Sequence, residues 1–221
     1  MLTDQQLINR LTQAQVKHLL HQDAQQWVLF EDQEYLWLTL DTVVQSIMAK
    51  AEPAQLMFNY HRQLIEHLPA NFNSIIELGL GGGSLIRYLM QRHPQLNYTC
   101  VELSTIALDW FSQYFNPTQH PVTLIHGDAA TELAQLPQAD VLLCDLFSDF
   151  GSPACLFKTA FYQLCHRKFS QTMIINLLPR TPDEITQVVS LCQQAGLQPS
   201  RIIKLENMRN HLIIINKKTS E

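Results

Sequence analysis

The sequence predicts a doubly wound, mostly parallel α/β sheet that ends in an antiparallel hairpin. A small helix and a β-hairpin precede it. Three observations carry this reading. From residue 74 onward, short apolar strands alternate with helices across short connections, which gives parallel strands joined by crossover helices. The strands, among them SIIEL, ADVLLCD and TMIINLL, are continuous apolar runs, as strands covered on both faces are. The last two, RIIKLE and HLIIINK, lie close enough in sequence to pair as a hairpin.

The elements follow in order. Thr3 reads as an N-cap before a helix over 3–22, with Leu7, Ile8, Leu11, Val16, Leu19 and Leu20 at helical spacing. WVLFEDQEYLWLTL reads as two strands about a turn at Glu31-Asp32-Gln33. A helix is expected over 54–68, with Leu56, Tyr60, Leu64 and Leu68 on one stripe. SIIELGLGGG is a strand ending in glycines, and SLIRYLMQRHP is a helix stopped by Pro94. Strands NYTCVEL, VTLIHGD, ADVLLCDLF and TMIINLL then alternate with helices TIALDWFSQYF, ATELAQL, CLFKTAFYQLCHRKF and PDEITQVVSLCQQAG, the last stopping at Gly196. The expected division is residues 1–52 as an appendage and 53–221 as the sheet domain.

Composition bounds the function. A chain of 221 residues, 46% hydrophobic and 16% charged, folds as a globule with a full core. A net charge of −5 argues against a dedicated nucleic-acid binder. The five cysteines include no Cys-x-x-Cys pair, so they read as buried thiols of a reducing compartment. No apolar run reaches the length of a membrane span, and the polar start MLTDQQLINRLTQ shows no secretory signal. A cytoplasmic location is the expectation. No metal is expected: the histidines are dispersed, and His61 and His67 do not share a helix face. Trp110, Phe111, Tyr114 and Phe115 read as core packing on one helix.

Ligands of doubly wound sheets sit at the carboxyl ends of the strands, and four loops there carry chemistry. The first holds Gly79, Gly81, Gly82 and Gly83 before a helix start. It suits either a nucleotide-type ligand or a tight turn. Glu102 ends the second strand and is followed by Leu103; an acid at this offset can accept both ribose hydroxyls. Gly127-Asp128-Ala129 follows the third strand, where Asp128 is either an adenine-reading acid or a helix N-cap. Asp145 ends the fourth, a position for base or electrostatic work beside a reacting atom.

Glycines, a ribose acid, an adenine acid and an active-site acid, in that order, resemble the S-adenosylmethionine-dependent methyltransferase fold. A closer resemblance rests on FEDQEYLWLTLDTVVQSIMAKAEPAQLMFNYHRQL, LGLGGGSLIRYL, VELSTIALDWFSQYF, HGDAATEL and DLFSDFGSPACLFKTAFYQ. Together these segments are similar to the polyamine aminopropyltransferase, or spermidine synthase, family over about residues 27–180. The resemblance implies that S-adenosylmethionine or its decarboxylated form is bound by Gln45, Gly79, Gly81, Gly83, Glu102, Leu103, Asp128, Ala129 and Asp145. It implies Asp145 as the catalytic acid, and Tyr60, His61 and Asp149 beside a small-molecule acceptor. It also implies that residues 1–50 cover the pocket entrance, and that the protein forms a homodimer.

The departures fall on the acceptor side. Gly82 stands where the family has an Asp in the glycine loop. Ser148 stands where it has a second Asp, and Gln55, Leu56, Met57 and Phe58 replace the acids before Tyr-His. A diamine carries two positive charges that must be paired when buried. The sequence therefore resembles a spermidine synthase-like branch with Asn176 after the fifth strand. Two functions follow from it. One is transfer of a methyl or aminopropyl group to an unknown acceptor, and the other is a silent nucleoside-binding or scaffolding module.

Overall fold

The sequence carries two kinds of strand, and they form two separate sheets. The computed structural model describes residues 4–22, 24–147, 151–206 and 208–217. Two compact units interleave along the chain. One takes in Met1–His61, Gly81–Pro94 and Ile106–His120, and the other Arg62–Leu80, Gln95–Thr105 and Pro121–Glu221.

The first unit holds helix α1 (Asp4–Leu11) and strands β1 (Gln15–Gln22), β2 (Gln25–Glu31), β3 (Tyr35–Leu40) and β4 (Val43–Ala49). The strands pair antiparallel in chain order as a four-stranded meander. Leu7, Trp37, Ile47, Ala49 and Met57 form its core. The β2–β3 turn is closed by Asp32, whose carboxylate accepts the N–H groups of Glu34 and Tyr35, both at 2.7 Å.

Two expectations are corrected here. The helix expected over 3–22 ends at Leu11, and Gln15–Gln22 is a strand. Val16, Leu19 and Leu20 suit either periodicity, and pairing with β2 from Gln15–Glu31 to Gln22–Gln25 decides for the strand. As an edge strand it leaves Val16, Leu19 and Leu20 exposed. The appendage is thus a short helix and four strands, not a helix and a hairpin. The helix expected from residue 54 starts later, as α2 (Asn59–Ile65). Before it the chain makes a turn, with the Gln55 N–H donating to the Glu52 carbonyl at 2.9 Å, and the Pro53 carbonyl accepts from the Arg87 guanidinium at 2.6 Å.

The second unit holds a seven-stranded sheet. From residue 74 the chain runs through β5 (Ser74–Leu78), helix α3 (Ser84–Arg92), β6 (Asn97–Glu102) and α4 (Thr105–Trp110), which runs on as a π turn over Phe111–Phe115; α3, and α4 from Ile106 with its π turn, belong to the first unit. After β7 (Thr123–His126) come α5 (Ala129–Gln135), β8 (Ala139–Cys144), a 3-10 turn at Ala154–Phe157 and α6 (Thr159–His166). β9 (Phe169–Leu177), α7 (Pro182–Gln194), β10 (Pro199–Lys204) and β11 (His211–Asn216) complete the chain. The strand order is β10-β11-β9-β8-β5-β6-β7, with β5 to β9 parallel and β11 antiparallel to both β9 and β10. The mostly parallel sheet with a terminal hairpin is therefore present. The helix expected to reach Phe169 stops at His166, because Phe169, fully buried, opens β9 opposite Ala139.

Alternate residues of the central strands enter one apolar cluster: Ile76 and Leu78, Leu142 and Cys144, Met173, Ile175 and Leu177, Ile213 and Ile215. Leu133 of α5, Phe161 and Cys165 of α6, and Val188 and Cys192 of α7 fill the same cluster. The intervening residues Ile75, Val141, Leu143, Ile174 and Ile214 are buried as well, so the continuous apolar runs reflect burial of both faces. Burial also pushes the thiols of Cys100, Cys144, Cys165 and Cys192 up. Among the described residues no helix is long and apolar enough to cross a membrane.

At the amino-terminal edge of the sheet, Asp140 ties three strands together. Its carboxylate accepts the N–H groups of Asn73 (2.7 Å) and Ser74 (3.1 Å) and the hydroxyls of Ser74 (3.2 Å) and Ser170 (3.1 Å). These bonds, the Asn73 N–H first, hold its pKa below the usual carboxylate value. A depressed folded-state pKa contributes stability that is present above the unfolded value and lost as pH falls through the folded one. Asp140→Asn is expected to cost about 1 kcal/mol at pH 7, a modest figure because partial exposure screens the charge. Urea denaturation should show the gap between variant and wild type closing in acid below the usual Asp range.

Candidate functional site

The strand order reverses between β5 and β8, and the chain leaves both strands there. Asp145, just past β8, donates its N–H to the Leu78 carbonyl at 2.9 Å, and Gly79, just past β5, donates to Val101 at 2.9 Å. Gly79 has φ 93°, and a Cβ there would overlap the Asp145 carbonyl oxygen. Only glycine satisfies both conditions, so the loops after β5 and β8 meet backbone to backbone.

Glu102 faces the glycine loop from β6. One of its carboxylate oxygens accepts the Leu80 N–H at 2.8 Å, and the other accepts the Ser104 N–H at 2.8 Å. Each oxygen keeps capacity for a further donor. Leu103 beside it is 67% exposed, an apolar side chain held at the sheet edge. Its carbonyl accepts the His126 Nε2–H at 3.0 Å, and the Gly127 N–H reaches the Glu102 carbonyl at 3.0 Å. Asp128 caps α5 through Ala130 N–H (3.1 Å), Thr131 N–H (2.9 Å) and the Thr131 hydroxyl (3.0 Å), with Ala129 buried behind it. All three bonds end on one oxygen, Oδ1.

Asp145 is held from its other side. The Asn176 amide donates to Asp145 Oδ1 at 2.7 Å, and the Asn210 amide donates to Asn176 Oδ1 at 3.0 Å. The strand ends thus bring together Gly79, Glu102, Asp128, Ala129 and Asp145 along one edge of the sheet.

Glu77 and Asn210 are missed by sequence reasoning. Glu77 lies 2% exposed in β5 and accepts the Tyr98 hydroxyl at 2.9 Å. Burial first, with Asp145 and Glu102 nearby, pushes its carboxyl well above the usual range. A lone acid inside SIIEL was the available signal. Asn210 had none, because its neighbour Asn176 comes from a distant strand.

The other expected residues belong to the meander unit. The Gln45 carbonyl lies 3.8 Å from where a Cβ on Gly81 would stand. A Cβ on Gly82 would lie 2.6 Å from the Ser46 Cβ and would overlap the Ser46 hydroxyl, which sits 3.3 Å from that of Ser84. Gly83 packs against the Phe111 ring. Arg87, 1% exposed, donates to the carbonyls of Pro53, Gly82 and Phe115 (2.9 Å). Burial brings its pKa down to about 9. His61 is buried, its ring centroid 4.0 Å from that of Tyr60, on which Phe58 stacks at 5.7 Å. Ser148 and Asp149 lie outside the described residues, as does Thr3. Among the described residues no group of three or more His, Cys, Asp or Glu could hold a metal ion.

No protein-family model matches the chain. It is 30% identical over 137 residues to a probable polyamine aminopropyl transferase of Bifidobacterium longum, a match covering 61% of this chain and 30% of that protein. A crystal structure of a probable spermidine synthase from Corynebacterium glutamicum superimposes with a TM-score of 0.75 at 18% identity. That alignment covers 91% of this chain and 80% of the other. Over those 137 residues the chain is similar to an aminopropyl transferase, and its fold is similar to that of a probable spermidine synthase. It spans about a third of the length of the Bifidobacterium relative. Human methyltransferase-like protein 13, solved in complex with SAH, superimposes at a TM-score of 0.61 and 21% identity, over 72% of this chain and 82% of its own. The fold is the Rossmann-like methyltransferase fold.

Gly79→Ala is expected to cost about 2 kcal/mol or more, since it meets backbone at a positive φ. Gly81→Ala has φ 52° but meets only the Gln45 carbonyl, at ordinary contact distance, and should cost about 1 kcal/mol. Denaturant midpoints of the two variants test that ranking.

Proposed function

We propose that this chain is a transferase that binds S-adenosylmethionine or its decarboxylated form and passes a methyl or aminopropyl group to a small-molecule acceptor. The observation that carries the reading is Glu102. Its carboxylate is bonded to the Leu80 N–H of the glycine loop, at the edge where the strand order reverses. The residues fit a nucleoside. Gly79 sets the loop against Asp145, Glu102 offers two acceptor oxygens to ribose hydroxyls, exposed Leu103 offers an apolar surface to a base, and Asp128 holds an oxygen beside it.

The donor, when bound, supplies an electrophilic carbon on a positively charged sulfur. Asp145, fixed against Gly79 and the Asn176 amide, faces that charge and can take a proton from the acceptor's nucleophile. The protein's further contribution is alignment. The relatives' names include aminopropyl transfer and methyl transfer, and the acids of this chain favour an acceptor other than a diamine. Gly82 replaces the family's loop acid and Ser46 fills its space, while Leu56 and Met57 are buried apolar residues. An uncharged, aromatic or anionic acceptor suits these residues better.

Calorimetry with S-adenosylmethionine tests the binding: Glu102→Ala should weaken it by about 2 kcal/mol or more, and an unchanged affinity overturns the assignment. Decarboxylated S-adenosylmethionine with putrescine tests the acceptor. Little or no product is expected, and turnover on the order of one per second, ordinary for an enzyme on its own substrate, overturns that part.

A further inference from the structure

We infer that the buried amides Asn210 and Asn176 form a one-way hydrogen-bond chain that positions Asp145 as an acceptor, with Asn210 setting its direction. Asn176 is fully buried near the end of β9, in register with Leu212 of β11, and Asn210 immediately precedes β11 at 8% exposure. The Asn210 Nδ2 donates to Asn176 Oδ1 at 3.0 Å. That bond occupies the amide oxygen of Asn176 and turns its Nδ2 toward Asp145, where it donates to Oδ1 at 2.7 Å.

The reverse arrangement has a definite chemical cost. Turning the Asn176 amide over would set its oxygen against Asp145 Oδ1. Two acceptors at that separation repel unless the aspartate carries a proton between them. The direction of the chain and the protonation of Asp145 are therefore one variable. A pair of asparagines that only filled space would work equally well in either direction. The titratable groups that interact electrostatically with Asp145 include Glu77, Tyr98, Cys100 and Cys144. Asn210 is thus a positioning residue that acts through Asn176. Its relevance to transfer rests on the reading of Asp145 given under Proposed function.

The test uses the full chain without ligand. The side-chain carboxyl carbon of Asp145, assigned with Asp145→Asn, is followed by 13C NMR across pH. In Asn210→Asp an ionised carboxylate at 210 accepts only, so Asn176 must turn its Nδ2 away from Asp145. The Asp145 midpoint should then rise by about one pH unit or more relative to wild type, and by more than Asn210→Asp adds in an Asn176→Ala background, where the new charge acts without the amide; equal increments overturn the inference. In Asn210→Ala, which removes a donor but imposes no reversal, it should rise less. Superposable Asp145 titrations in folded wild type and Asn210→Asp overturn the inference. Should Asn210→Asp fail to fold, Asn210→Ala decides: an upward shift supports the inference and an unchanged midpoint overturns it. Calorimetry with S-adenosylmethionine then separates the two readings. A shifted Asp145 titration with unchanged donor affinity leaves the amide chain standing and removes the sulfur-facing role of Asp145.

Discussion

The meeting of Gly79 with the carbonyl of Asp145 sets the spacing of the whole carboxyl edge of the large sheet. β5 and β8 are neighbours in that sheet, but paired strands do not by themselves bring their following loops together. Here the Asp145 N–H closes onto Leu78, the Gly79 N–H closes onto Val101, and the missing side chain lets the two turns touch. With that distance fixed, Leu80 is delivered to Glu102 and the β8 loop starts against the Asn176 amide. The acids of this edge are therefore placed by backbone, not by long side chains that would need ordering.

Each of these acids already has intramolecular work. Glu102 holds two N–H groups, Asp128 caps α5, and Asp145 accepts from Asn176. The structural and ligand-binding roles, which the sequence leaves as alternatives for Asp128, are compatible in all three, because a carboxylate has more acceptor capacity than any one of them uses. A carboxylate already fixed by N–H groups loses little further freedom when a hydroxyl reaches it.

Much of this was legible in the residues, and the failures have physical causes. The alternation from residue 74 could be read because strands such as ADVLLC are buried on both faces and helices such as PDEITQVVSLCQQ keep their own period. The strand-end positions of Gly79, Glu102 and Asp145 followed from that alternation. Gln15–Gln22 was misread because its few apolar residues fit two periods and only the partner strand distinguishes them. The segment before α2 holds a turn and a carbonyl bonded to an arginine 34 positions away, neither of which its apolar spacing announces. Asn210 was invisible because its meaning comes from a bond that β11 creates by pairing beside β9.

The overlap at Gly82 bears on how such a chain could change its chemistry over time. An acid at 82 and a serine at 46 occupy the same few cubic ångströms, so the two residues are contingent on each other. A change at 82 to aspartate meets a steric barrier at Ser46, which would have to shrink or move first. Through Arg87, which holds the Gly82 carbonyl, that barrier extends to Pro53 and Phe115. The loop is sterically committed: with glycine at 82 and serine at 46, a charged loop is more than a single substitution away.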